Sequence, residues 1–214
     1  NTKFIHAIES GMSADPPMLW RLKEDINIVS FSDAHSYWPW RLGREATVFD
    51  CELKYKEIIN SIRAKNRISY TIETVPDYGK YHYDGHRNCN IRLSPEETRK
   101  LKGICPKCNQ PLTIGVQYRI EELAKEPEGY KKKDSINYKR LIPLHELISS
   151  TYNIKQISSK KVWEIYNKLI AEFGNEFKIL LDISYEDLIK ITQEKLADVI
   201  IMSREDKLKI LPGY

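Results

Sequence analysis

Short apolar runs separated by polar, breaker-rich stretches fill the first third of the chain. Residues 4–8 and 26–31 are such runs, and each has the length of a buried strand. Between them "SGMSADPPM" reads as a loop, with Gly and two prolines as breakers, and residues 19–24 suit a short helix. From 49 to 65 the pattern changes to a helical period: Leu53, Ile58, Ile59 and Ile62 recur with charges between them. Strands alternating with helices favour a parallel sheet, so residues 1–65 read as α/β, with sites expected at the C-terminal ends of the strands.

Residues 66–133 differ. "ISYTIETV" alternates as a strand does, Asp84-Gly85 signals a turn, and "LTIGVQYRI" also alternates. "LSPEETRKLKG" carries a full set of helix signals: Ser94 as cap, Pro95 in the first turn, Glu97 to complete a capping box and Gly103 to close. "EELAKEPEGYKKKDSINYKR" is a charged connection, expected to be a boundary or a mobile loop. Residues 134–214 read as a small α+β domain. It has an amphipathic helix with Val162, Ile165, Leu169 and Phe173 on one face, then a strand at "EFKILLDI". A second helix follows, capped by Ser184 with Asp187, and then a last strand at "KLKIL".

Composition narrows the class. The 214 residues are 41% hydrophobic and 30% charged, an ordinary globular balance. No run approaches the ~18 apolar residues of a membrane span, and no signal-peptide pattern opens the chain. Four cysteines with one C-x-x-C favour a reducing compartment over a disulfide framework, so the expected location is cytoplasmic, at the nucleoid. The start at Asn1, inside a strand-like run, leads to the expectation that the chain is a piece of a longer protein. Net charge is only +4, but residues 87–161 hold 16 Lys and Arg against 8 Asp and Glu, while the rest holds 18 against 22. Such a basic middle is either a footprint for a polyanion or a solvated lysine-rich surface.

Chemistry concentrates in that middle. His86, Cys89, Cys105 and Cys108 form H-x₂-C…x₁₅…C-x₂-C. Two-residue spacers let paired ligands reach one ion from a tight turn, and four ligands would make a closed, structural Zn²⁺ site. His82 is the alternative fourth ligand, and a redox dithiol is the alternative reading of C-x-x-C. Cys51 reads as a small core residue on the helix after 49. Arg87, Arg92, Arg99, Lys100, Lys102, Lys107 and Arg119 flank the knuckle, with Tyr81, Tyr83 and Tyr118 among them. Cations hold phosphates and aromatics stack on bases, so the knuckle is a candidate nucleic-acid contact, although such knuckles scaffold as often as they bind. A second feature is Asp33 and His35, just past the apolar run 26–31. Both ligand types suit a hydrolytic divalent metal, but an Asp capping the following turn beside an incidental His explains D-x-H equally well.

Longer strings are more specific. "SDAHS" after an apolar strand looks like the last metal-ligand motif of the polymerase-and-histidinol-phosphatase (PHP) superfamily. "SGMSADPPMLWRL", "SFSDAHSYWPWRLGREATVFD", "GKYHYDGHRNCNIRLSPEET", "ICPKCNQPLTIGV", "RIEELAKEPEGY", "FGNEFKILL" and "KILPGY" resemble, in collinear order, the endonuclease Q branch of that superfamily. The resemblance implies the C-terminal part of a seven-stranded PHP-type β/α barrel, an embedded zinc-binding module and a small C-terminal domain. It implies nicking of DNA on the 5′ side of deaminated bases (hypoxanthine, uracil, xanthine) and of abasic sites. Asp33 and His35 would then be ligands of a catalytic Mg²⁺, Mn²⁺ or Zn²⁺. Tyr37, Trp38 and Trp40 would pack on a displaced base or against the barrel rim, and Arg41 and Arg44 would hold phosphates. Ser10, Ser13 and Asp15 lie in the other rim loop, Glu9 reads as a local loop residue, and His145 as a structural histidine. The H-x-H that opens the family's barrel is absent from this sequence, so the missing ligands are expected in an N-terminal half of the barrel. The competing readings are a non-catalytic zinc-ribbon module that binds nucleic acid and another PHP-type phosphoesterase.

Overall fold

The computed structural model describes residues 4–24, 26–64 and 66–208, which fall into two units: residues 4–33 with 45–139, and residues 34–44 with 140–208. In the first unit β1 (Ala7–Glu9) and β2 (Asn27–Val29) pair in parallel, Ile8 opposite Ile28, as the alternation of strands and helices predicts. The crossover carries α1 (Pro16–Trp20). Asp15 starts this helix by accepting the Met18 N–H at 3.1 Å, and Trp20 is buried under it. Asp15 is therefore committed to a helix cap.

The next elements differ from the periodicity. Residues 46–49 form a strand, β3 (Ala46–Phe49), antiparallel to β4 (Ile68–Glu73), and α2 (Tyr55–Ala64) occupies only the later part of the predicted helix. Leu53 is exposed, and Cys51 lies half-buried ahead of the helix rather than in its core face. The Asn27 amide donates to the Ile62 carbonyl and so ties β2 to α2. A hairpin follows, β5 (Asp84–His86) with β6 (Ile91–Leu93). Its reversal lies at residues 87–90, where Asn90 takes φ 52°, and Asp84-Gly85 is strand rather than turn.

After the capping box on α3 (Pro95–Lys100), in which Ser94 and Glu97 bond reciprocally, the "LTIGVQYRI" stretch is a helix rather than a strand: α4 (Val116–Leu123). Its first N–H groups are taken by the Tyr81 and His82 carbonyls, and one face buries Ile120. The charged connection beyond it is tied down instead of loose. The N–H groups of Lys125 and Glu126 reach the Arg21 carbonyl, and ion pairs join Lys23 to Glu126 and Lys125 to Glu24. The last strand of this unit, β7 (Asn137–Arg140), completes the order β3-β4-β7.

Beneath the strand ends lies a polar cluster without counterpart in the sequence reading. Glu73 Oε2 accepts from Ser10 Oγ at 2.7 Å and from Ser30 Oγ at 3.1 Å, and Thr74 Oγ1 donates to Glu45 Oε1 at 2.6 Å. Both glutamates are buried. Burial pushes the Glu73 carboxyl up to about 7, with the Glu45 charge adding to it and the two serine hydroxyls opposing. Ser10 thus serves Glu73, and the Ser13 carbonyl, 3.0 Å from His82 Nδ1, serves that histidine.

The second unit is helical between 144 and 204, where a mix of helix and strand is predicted. It comprises α5 (Leu144–Thr151), α6 (Lys160–Phe173), α7 (Glu176–Leu181), α8 (Tyr185–Ile191) and α9 (Glu194–Arg204). The predicted strand "EFKILLDI" is α7: Asn175 caps it by accepting the Lys178 N–H, and the adjacent residues Ile179 and Leu180 are both buried, as one face of a helix allows. The predicted single second helix breaks at Thr192 and Gln193 into α8 and α9. The last predicted strand, residues 207–211, is irregular at 207–208 and otherwise lies outside the described residues. Among the described residues, no helix is long and apolar enough to cross a membrane.

Two outcomes follow for stability. Ile179→Ala and Leu180→Ala should each cost about 2–5 kcal/mol in denaturant unfolding and Phe177→Ala, more exposed, clearly less; a strand would instead pair Phe177 with Ile179. Glu73 holds its proton more tightly when folded, so its contribution is fully present below about pH 4.5 and lost as pH rises through about 7. Glu73→Gln should therefore gain stability relative to the parent between those limits, on the order of 3 kcal/mol. Parallel stability profiles for the two proteins would contradict this.

Candidate metal centre

Two short segments bring four ligands together. His86 ends β5 and Cys89 lies in the single turn Arg87–Cys89, which the left-handed Asn90 reverses into β6. The second pair follows α3. Lys102 and Gly103 turn the chain with φ 53° and 74°, and Leu112 N–H returns to the Gly103 carbonyl. Within this loop Cys105 N–H bonds the Gln110 carbonyl, Asn109 N–H bonds the Cys105 carbonyl, and Asn109 takes φ 58°. The knuckle is thus fixed by its own backbone, with Cys105 and Cys108 on the inside of the turn.

The ligand atoms of His86, Cys89, Cys105 and Cys108 all lie within 4.8 Å of one another. His86 Nδ1 is 3.3 Å from Cys108 Sγ. Tetrahedral Zn²⁺ at its usual bond lengths separates its ligands by about 3.5–3.8 Å, so the four fit one ion with small adjustments. His82, the alternative ligand, is elsewhere: it is buried, with Nδ1 on the Ser13 carbonyl and Nε2 3.7 Å from Asp77 Oδ1.

The sulfurs also act on one another electrostatically. Hydrogen bonding to Cys108, then burial and the nearby Cys105, push the Cys89 thiol up to about 11. Burial opposes the Cys105 thiolate, but the backbone N–H groups of Lys107 and Cys108 and the neighbouring sulfurs outweigh it and draw the group down to about 6. Three thiolates this close repel one another unless a positive ion sits among them.

The other predicted site residues are dispersed. Asp33 and His35 are both exposed, Asp33 with φ 41°, and neither belongs to a second metal-sized group of ligands among the described residues. Glu9 is exposed at the end of β1. In the second unit Tyr37 stacks on Trp38 (5.4 Å, 26°) and Trp38 on Trp40 (4.6 Å, 12°). The ladder ends inside: Trp40 is 5% exposed and packs on His145 and Trp163, whereas Tyr37 is 85% exposed. Trp40 is therefore a packing residue, and only Tyr37 and Trp38 offer surface. His145 is structural, as predicted; burial, then the Arg41 charge, lowers it to about 3. Arg41 and Arg44 act on the buried Glu146, whose carboxyl burial raises to about 7 against their pull.

Most of the cations around the knuckle are already engaged. Arg99 pairs with Glu121, Lys100 with Glu96 and Arg119 with Glu122, and Lys107 Nζ donates to the Cys89 carbonyl. Lys102 sits in the left-handed turn after α3. Arg87 and Lys80 have no ion-pair partner among the described residues, and both flank a pocket of about 310 Å³ whose wall includes His86. Lys80 carries no signal in the motif reading, because it lies ahead of the Cys/His pattern.

Comparison with known proteins extends these observations. The MJ0043 C-terminal domain family matches residues 143–207. An uncharacterized protein of Methanocaldococcus jannaschii, MJ0043, is 35% identical over 214 residues, which cover 96% of this chain and 27% of that one. An uncharacterized protein of Bacillus subtilis, YqxK, is 26% identical over 216 residues, 98% of this chain and 50% of that one. The crystal structure of the lesion-specific endonuclease PfuEndoQ from Pyrococcus furiosus matches with a TM-score of 0.85 and 35% identity, over 98% of this chain and 52% of that one. A structure of Endonuclease Q with a 27-mer duplex substrate, an abasic lesion at its active site, matches with the same TM-score and identity over 98% of this chain and 53% of that one. The chain spans about half the length of these solved structures and of YqxK, and 27% of MJ0043. With a shared fold along 98% of its length and a Cys/His cluster assembled within that fold, the chain resembles the C-terminal half of the endonuclease Q structures.

Proposed function

We propose that this chain is the C-terminal part of a metal-dependent DNA repair endonuclease that nicks 5′ of deaminated bases and abasic sites. The observation that carries the reading is the 0.85 TM-score at 35% identity to two lesion-endonuclease structures, one of them holding a lesioned duplex. In this reading Asp33 and His35 supply two ligands of the catalytic centre from the exposed segment after β2, and a PHP-type barrel half outside this chain supplies the rest. A divalent ion there contributes Lewis acidity toward the phosphodiester and a lowered pKa for water. The chain's own residues hold and orient the DNA. Lys80 and Arg87, exposed beside the knuckle, meet phosphates, and Tyr37 and Trp38 present flat faces on which a base can stack. His86, Cys89, Cys105 and Cys108 hold Zn²⁺ as a closed structural site, which leaves no position for substrate. Free thiols suit a reducing compartment, so the protein acts in the cytoplasm, at the nucleoid.

The deciding assay uses the complete protein with Mg²⁺ or Mn²⁺ and a duplex bearing one hypoxanthine. A nick 5′ of the lesion is expected. Loss of an outer-shell partner of a metal costs about 10–100-fold, so Asp33→Ala, which removes a ligand, should lower the rate by at least about a hundredfold. No nick, or an unchanged rate in Asp33→Ala, would leave a non-catalytic DNA-binding module as the better account.

A further inference from the structure

The pocket beside the Cys/His cluster lies within the first unit, between the β5–β6 hairpin and the strand-like residues 113–115. Its size, about 310 Å³, is at the lower end of small-ligand sites. Three kinds of group line it. Tyr81 and Tyr83 supply aromatic rings, and Tyr81 is largely exposed. Asn88 and Thr113 supply an amide and a hydroxyl, able both to donate and to accept. Lys80 and Arg87 supply positive charge.

The charge is the discriminating feature. Across the knuckle, Arg99, Lys100 and Arg119 are each neutralised by a glutamate. Lys80 and Arg87 are exposed and lack an ion-pair partner among the described residues; Lys80 has only the Tyr81 ring, 5.7 Å from its Nζ. A concavity that combines stacking rings, bifunctional polar groups and two uncompensated cations matches a ligand with a flat heteroaromatic base and a phosphate. A purely apolar ligand would leave the cations idle, and a bare anion would leave the tyrosines idle.

We propose that this pocket takes one unstacked nucleotide of a DNA strand, its base against Tyr81 and Tyr83 and its phosphates on Lys80 and Arg87. The inference rests on the reading of this protein as a DNA-binding one. It also gives the metal cluster a second task. His86 lines the pocket, and Arg87 and Asn88 sit in the turn between the ligands His86 and Cys89, so the ion would set the pocket wall.

The test uses the full 214-residue chain with zinc and a short single-stranded oligonucleotide carrying 5-iododeoxyuridine. Ultraviolet crosslinking followed by peptide mapping should place the adduct on Tyr81 or Tyr83. Replacing Lys80 and Arg87 together by Gln should weaken binding at least about tenfold. It should also flatten the salt slope by about 1.4, near 0.7 for each phosphate contact on a single strand. Replacing Arg99 and Lys100 by Gln should change affinity less than about twofold, since both are already paired. Salt-dependent binding by the parent with adducts only elsewhere, or with an unchanged Lys80/Arg87 variant, overturns the pocket and leaves the DNA reading standing. No binding by the parent chain overturns both. The crosslink is read on the parent protein, so a misfolded variant does not blunt the test.

Discussion

Four ligand atoms from two short segments, His86 and Cys89 with Cys105 and Cys108, come within 4.8 Å of one another in the middle of this protein, a group that could hold a metal ion. Around them the apolar core is thin. From 81 to 123 the buried hydrophobic side chains are Cys105, Leu112 and Ile120, while Tyr81, Ile104, Ile114 and Leu123 are exposed. A segment of this size cannot offset its conformational entropy with so little buried surface, and a metal crosslink is the usual remedy. The hairpin β5–β6 and the 105–108 knuckle meet at that cluster, and one of its ligands, His86, also lines the pocket beside the hairpin.

Elsewhere the fold is held by more ordinary means. In the helical unit Leu144, Ile148, Leu169, Ile179, Leu188, Leu196 and Ile200 form a closely buried core, and Trp40 from the 34–44 segment is sealed against His145 and Trp163. In the other unit the strand ends are joined by polar ties through Glu73 and Glu45. Buried carboxylates contribute little net stability and are sensitive to protonation, but they fix the strand ends that lead toward Asp33.

The parts of this structure legible in the sequence are those set by local chemistry. Ser94, Pro95 and Glu97 specify a capped helix start, and Ser184 does the same for α8. The spacing of His86, Cys89, Cys105 and Cys108 specifies the cluster because ligand geometry tolerates few alternatives. What escaped the sequence is set by partners distant along the chain. The alternation in "LTIGVQYRI" is genuine, but the Tyr81 and His82 carbonyls take the first N–H groups of α4 and favour a helix. Residues 176–181 are apolar enough for either state, and the Asn175 cap with burial of Ile179 and Leu180 decides for the helix. Whether an aromatic is surface or core, as in Tyr37 against Trp40, depends on what packs over it. Glu73 gave no signal at all, because a strand-end glutamate is ordinarily solvated.

The central claim is that the Cys/His cluster holds a metal ion and that the ion holds the module. The direct measurement is elemental analysis of the chain purified under reducing conditions, paired with hydrogen exchange on the parent and on Cys105→Ser. The account predicts about one zinc per parent chain. In the variant it predicts loss of that zinc and of amide protection across residues 84–115, with protection kept in α5–α9. A metal-free parent chain with full protection across 84–115 would contradict it.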